Sequence, residues 1–146
     1  MRLFYAVFLP EDVRRALVEA QGKVSRYKGW KEVAPHQLHL TLLFLGERPE
    51  EELEDLVALG HRLGRRQAPF PARIRGTGYF PNEGTPRVWF AKAEGEGFSL
   101  LAEALRAGVA EALGVQALRA GGDKTFKPLI TLARRKAPAP RVPPVV

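Results

Sequence analysis

Apolar residues recur along this chain with two different periods. Arg2–Leu9, RLFYAVFL, is apolar on both parities, which predicts a strand covered on both faces. Pro10 ends it, and Glu11 and Asp12 open a helix at the end where the helix dipole favours acids. Val13, Ala16, Leu17, Ala20, Val24 and Tyr27 form one helical stripe. Lys28–Pro35 reads as a loop with Trp30 turned against the body, and Leu38–Leu45 as a strand stopped by Gly46. Pro49 and the glutamates after it start a second helix, with Leu53, Leu56, Val57 and Leu63 facing inward. Phe70–Tyr79 alternates weakly, as a half-exposed strand does. The turn formers of Pro81–Pro86 then lead into RVWFAKA, so a long hairpin is expected. Gly97–Gly114 carries Phe98, Leu101, Leu105, Val109 and Leu113 on one face of a third helix with a glycine stop. A short strand is expected over Val115–Arg119, a loop at AGGDK, and a last strand over Leu129–Arg134. The tail, KAPAPRVPPVV, has four prolines in its last nine residues and reads as an extended linker.

The order strand, helix, strand, helix, hairpin, helix, strand predicts an α+β fold. A helix leading through a polar loop to an x-Leu/Ile-Thr-Leu strand occurs twice, which suggests a duplicated unit with two related lobes. The echo is short, and alone it is no better than coincidence.

Composition narrows the class. A chain of 146 residues, 45% hydrophobic and 27% charged, suits one folded domain and not a disordered one. No run of eighteen apolar residues suggests a membrane span. The eight-residue apolar N-terminus lacks a small-residue cleavage site and reads as a strand, not a leader. With no cysteine there is neither a disulfide framework nor a thiolate metal site, which is compatible with a cytoplasmic protein. The net charge of +7 and the 16 arginines against 7 lysines point towards an anionic partner, nucleic acid first. A merely solvated basic surface explains the charge equally well.

Candidate chemistry sits on two strands. In HLTLLFLG, His39 and Thr41 point to one face because side chains two apart in a strand share a side. An imidazole exchanges protons near neutral pH, and a threonine hydroxyl can hold a phosphate oxygen. A lone His-x-Thr is better explained as the wet face of an amphipathic strand. The second strand changes this reading. FKPLITLARR repeats the register, with Thr131 for Thr41 and Leu129 where a second histidine would stand. Two such strands facing each other would place groups on both sides of one phosphorus, as in-line displacement requires.

RLFYAVFLP, LHLTLLFLGE, GTGYFP, RVWFA and FKPLITLAR, in this order from Arg2 to about Arg135, resemble the two-histidine phosphoesterases. They are most similar to the RNA 2′,3′-cyclic phosphodiesterase (2′-5′ RNA ligase) family. The resemblance implies a bilobal α+β fold of duplicated strand–helix units, with antiparallel sheets flanking a central cleft. It implies a phosphoesterase domain over 1–136, with 137–146 as a proline-rich tail. It also implies hydrolysis of a terminal 2′,3′-cyclic phosphate to a 2′-phosphate with no metal or nucleotide cofactor. The partners implied are RNA 3′ ends or tRNA fragments bearing that cyclic phosphate, met in the cytoplasm and away from membranes.

In that family frame His39 is the proton donor to the departing 3′ oxygen, and Thr41 and Thr131 hold phosphate oxygens. Arg134 is the phosphate- or nucleotide-contacting arginine, although its parity is opposite to Thr131, so a strand end or bulge is needed to bring it round. Tyr5 is a candidate to stack a base, and equally a core tyrosine. His36 lies on the wrong parity before the strand, and His61 is explained by its place near a helix C-terminus. The resemblance departs at two points. Leu129 replaces the histidine that would take a proton from water. The further strands usual in the family are expected to be missing, in which case a dimer in place of a monomer is one way to cover the open edge. Two other functions stay open: a non-catalytic RNA-end or nucleotide-binding homologue, and a phosphodiesterase of small cyclic nucleotides. A merely structural α+β domain fits the ordered motifs least.

Overall fold

The computed structural model describes residues 1–23, 29–81, 86–121 and 126–135. Val24 and Tyr27, the turn at 82–85, residues 122–125 and the proline-rich tail lie outside the described residues, as does the boundary expected at 136. The strands are β1 (Arg2–Phe8), β2 (Trp30–Glu32), β3 (His39–Glu47), β4 (Arg73–Phe80), β5 (Val88–Glu94) and β6 (Leu129–Arg135). The helices are α1 (Glu11–Gly22), α2 (Leu53–Arg66) and α3 (Glu96–Leu113). The strands hydrogen-bond in the order β1-β3-β6-β5-β4, with β2 added to β6. This is the α+β class expected.

The chain divides into two units. The first is built from Met1–Val7, Leu40–Ile74 and Ala93–Pro128, the second from Phe8–His39, Arg75–Lys92 and the segment from Leu129 on. In the first unit α2 and α3 lie against each other, because a Cβ on Gly108 would come within 2.7 Å of Leu59 and glycine leaves that space empty. Leu56 and Leu59 form the buried stripe of α2, whereas Val57, expected inside, is 48% exposed. Phe98, Ala102, Leu105 and Val109 form that of α3. At the start of α3 the ring of Phe70 lies on Gly97 and meets Phe98 edge-on, with centroids 4.9 Å apart. A Cβ at Gly97 would stand 2.1 Å from Phe70 Cδ1.

In the second unit α1 lies on β6 and buries Leu17 and Gln21, one helical turn apart. Pro10 precedes the helix, and its carbonyl accepts the Arg14 N–H at 3.0 Å. β4 and β5 form the expected hairpin, closed by Arg87 N–H donating to the Phe80 carbonyl at 2.8 Å.

Three expectations are corrected. Val115–Gly121 is a 3-10 helix and not a strand: Gly114 at φ 91° turns the chain, and Ala117 and Leu118 are buried side by side in the helical turn that follows. Trp30 is not in a loop but begins β2, three residues that pair with β6. β1 is not covered on both faces, since Phe4 is 48% and Phe8 83% exposed.

Gly97→Ala is expected to destabilise the protein by about 1–3 kcal/mol, because the added methyl must displace the Phe70 ring from a packed position. The shift in urea-unfolding midpoint at unchanged slope measures it.

Candidate active site

The geometry of the two motif strands starts from their burial. Along β3, His39 and Thr41 are half-buried, Leu40, Leu42 and Leu43 are buried, and Phe44 is half-buried again. Along β6, Leu129 and Thr131 are half-buried, Ile130, Leu132 and Ala133 are buried, and Arg134 is exposed. In each strand two adjacent residues are buried immediately after the threonine.

The pairing of β6 shows how. Opposite β5, Lys92 faces Leu129, Ala91 faces Ile130 and Phe90 faces Thr131, but the next residue, Trp89, faces Ala133. Leu132 is the extra residue of a β-bulge. Residues directly opposite in a ladder share a face. Leu129, Thr131 and Arg134 therefore lie on one side with Val88, Phe90 and Lys92, and with Lys31 of β2, which pairs with Arg134. The bulge is what puts Arg134 on the face of Thr131, against the plain strand parity.

A bulge frees a backbone carbonyl, which must find a donor when buried. The Leu132 carbonyl has two. The Val33 N–H donates to it at 2.9 Å and Gln21 Nε2 at 2.8 Å. The other proton of the Gln21 amide goes to the Val33 carbonyl at 2.9 Å. Gln21 is only 1% exposed. The sequence reading missed it, although its place four residues after Leu17 puts it on the inner stripe of α1.

His39 opens β3 behind a 3-10 turn, Pro35–Gln37. Its Nδ1 lies 2.5 Å from the Gln37 carbonyl, which can only accept, so Nδ1 carries the proton and the neutral ring has its lone pair on Nε2. His39 must therefore be imidazolium to donate from Nε2. Leu129 stands on the face of Thr131 and Arg134, where it offers no proton acceptor. Thr41 belongs to the first unit; His39, Thr131 and Arg134 belong to the second.

Tyr5, in the first unit, is turned to α2. Its hydroxyl donates to the Leu56 carbonyl at 2.6 Å and its ring lies over Gly60. Burial pushes its pKa up to about 12. Its hydroxyl and one ring edge are thus engaged within the fold. On the other face of β1, Arg2 lies 5.6 Å from the centroid of the Phe44 ring. His36 is exposed on its turn, and His61 is exposed on α2, where its backbone carbonyl accepts from Arg65. Among the described residues no three His, Cys, Asp or Glu side chains cluster to hold a metal ion, and no helix is long and apolar enough to cross a membrane.

The profile of the family described as LigT like Phosphoesterase matches residues 7–90. The chain belongs to this family. An RNA 2′,3′-cyclic phosphodiesterase of Thermus thermophilus is 78% identical over the whole chain and 74% of its own length. One of Archaeoglobus fulgidus is 39% identical over the whole chain and 79% of its own length. A crystal structure from Thermus thermophilus superposes with a TM-score of 0.90 at 78% identity, covering 98% of this chain and 79% of that one. Escherichia coli LigT in complex with 3′-AMP superposes at 0.65 with 30% identity, over 97% of this chain and 76% of that one. This LigT-like phosphoesterase thus shares its mixed helix and antiparallel-sheet fold with solved relatives.

Two outcomes check the geometry. Gln21→Met leaves the Leu132 and Val33 carbonyls each short of a donor, and a loss of about 1–3 kcal/mol in unfolding free energy is expected. The raised Tyr5 pKa means that the folded state prefers the neutral phenol. The stability contributed by Tyr5 is complete below its ordinary pKa of 10.0 and is lost as pH rises through about 12. The difference in melting temperature between the protein and Tyr5→Phe should therefore shrink across that window.

Proposed function

We propose that this LigT-like phosphoesterase hydrolyses the 2′,3′-cyclic phosphate at an RNA 3′ end to a 2′-phosphate. The observation that carries the reading is the bulge of β6, which turns Arg134 to the side of Thr131, in a strand that repeats the threonine-then-two-buried pattern of β3. The curated relatives named as RNA 2′,3′-cyclic phosphodiesterases and the binding of 3′-AMP by the E. coli relative support it. So does the net charge of +7.

In this reading Thr41 and Thr131 each hold a non-bridging oxygen, and the Arg134 guanidinium balances the phosphate charge. Water attacks phosphorus, the P–O3′ bond breaks, and imidazolium His39 gives its Nε2 proton to the departing O3′. The attacking water must lose its proton to solvent, because Leu129 cannot accept it. No metal or nucleotide cofactor takes part. The chain works on RNA 3′ ends, tRNA fragments included, away from membranes and in the cytoplasm. Leu129 favours one rival, a homologue that binds RNA ends without turning them over.

An RNA oligomer ending in a 2′,3′-cyclic phosphate separates them. Slow turnover that disappears in His39→Ala supports catalysis, and binding without turnover supports the rival. Leu129→His is expected to raise the rate by about 10²–10⁴-fold, the usual contribution of one acid-base group. An intact Leu129→His variant with no gain would overturn the role assigned to that position.

A further inference from the structure

We propose that the outer face of β1 binds the nucleotide preceding the terminal phosphate of a single-stranded RNA, with Arg2 on its phosphate and Phe4 on its base. This extends the function proposed above and rests on it. The argument lies wholly within the first unit.

β1 alternates, so Arg2 and Phe4 share the face opposite Tyr5, and Tyr5 is turned into α2. Arg2 reaches the ring of Phe44, whose centroid is 5.6 Å from the guanidinium carbon. Phe44 in turn follows the two buried residues after Thr41, as Arg134 follows those after Thr131. In β6 that position itself carries the cation. In β3 it carries an aromatic ring, and the cation arrives from the neighbouring strand.

Among the described residues only Arg15 and Arg48 hold a carboxylate, and Arg2 is one of the arginines that do not. Among the described residues no carboxylate lies within ion-pair distance of it, whereas Arg48 in the same unit is held by Glu52 through two bonds of 2.7 and 2.8 Å. Seating on an aromatic face orders the guanidinium but leaves its N–H edge for an anion. Phe4, two residues on, is 48% exposed despite its size. Two residues along a strand span about 7 Å, comparable with the reach from phosphate to base within one nucleotide. A cation and an exposed ring at that spacing are the elements of a single-strand platform, which takes any base because every base has a π face.

The test compares an RNA trinucleotide ending in a 2′-phosphate with adenosine 2′-phosphate, by calorimetry at several salt concentrations, and needs no turnover. Arg2→Ala is expected to weaken the trinucleotide about tenfold and to lower its salt slope by about 0.7, with the mononucleotide unchanged. Phe4→Ala should weaken the trinucleotide by about 5- to 100-fold, and Phe4→Trp should restore it. Arg66→Ala, the same charge change at the exposed end of α2, should alter neither ligand. Equal losses on both ligands would assign Arg2 to the terminal phosphate and overturn the proposal, as would an unchanged trinucleotide affinity. A wild-type chain that binds the mononucleotide as tightly as the trinucleotide sinks this extension alone. One that binds neither sinks the functional reading with it.

Discussion

One bulge decides where the charge of β6 goes. At the bulge the Leu132 oxygen finds donors on two elements, the Val33 backbone after β2 and the Gln21 side chain of α1. Without them the buried carbonyl would cost about 1–3 kcal/mol. In a regular ladder Arg134 would share the parity of Ile130 and Leu132, each of which is 0% exposed. A guanidinium cannot sit there unpaired. An interior glutamine is thus bonded to the bulge that sets which side of the sheet a surface arginine occupies.

What could be read in the sequence follows from what leaves a periodic trace. Long elements did: β3, β6 and the helix stripes through Leu17, Leu56 and Leu105 lie where their spacing places them. Even the need for a bulge near Arg134 was legible, as a conflict between strand parity and the role a resemblance implied. Short or two-sided features left no trace. β2 has three residues, too few for alternation, and only its partner β6 makes it a strand. β1 is apolar on both parities, yet the sequence does not say that Phe4 and Phe8 stay exposed. Val57 and Leu59 are neighbouring choices on α2, and the empty space at Gly108 selects Leu59. Gln21 is polar, and composition gives no reason to bury it until the carbonyls it serves are known.

The reacting groups show the same dependence on backbone. The Gln37 carbonyl fixes a proton of His39 on Nδ1, which leaves Nε2 as the ring nitrogen facing away from that bond. Thr41 and Thr131 owe their position to plain strand alternation with His39 and Leu129, two residues before each. Arg134 gains its side of the sheet through a bulge, whereas Arg2 rests on a ring.

The register of β5 against β6 places Lys92 directly across from Leu129. Cross-strand neighbours stand about 5 Å apart at Cβ, close enough for an ammonium to influence any titrating group opposite. With leucine there, no titrating group stands opposite the ammonium. Were an imidazole in that place, the same charge would oppose its protonation and hold it as the free base. The strand pair therefore keeps an electrostatic setting suited to a proton acceptor, at a position where this chain presents only hydrocarbon.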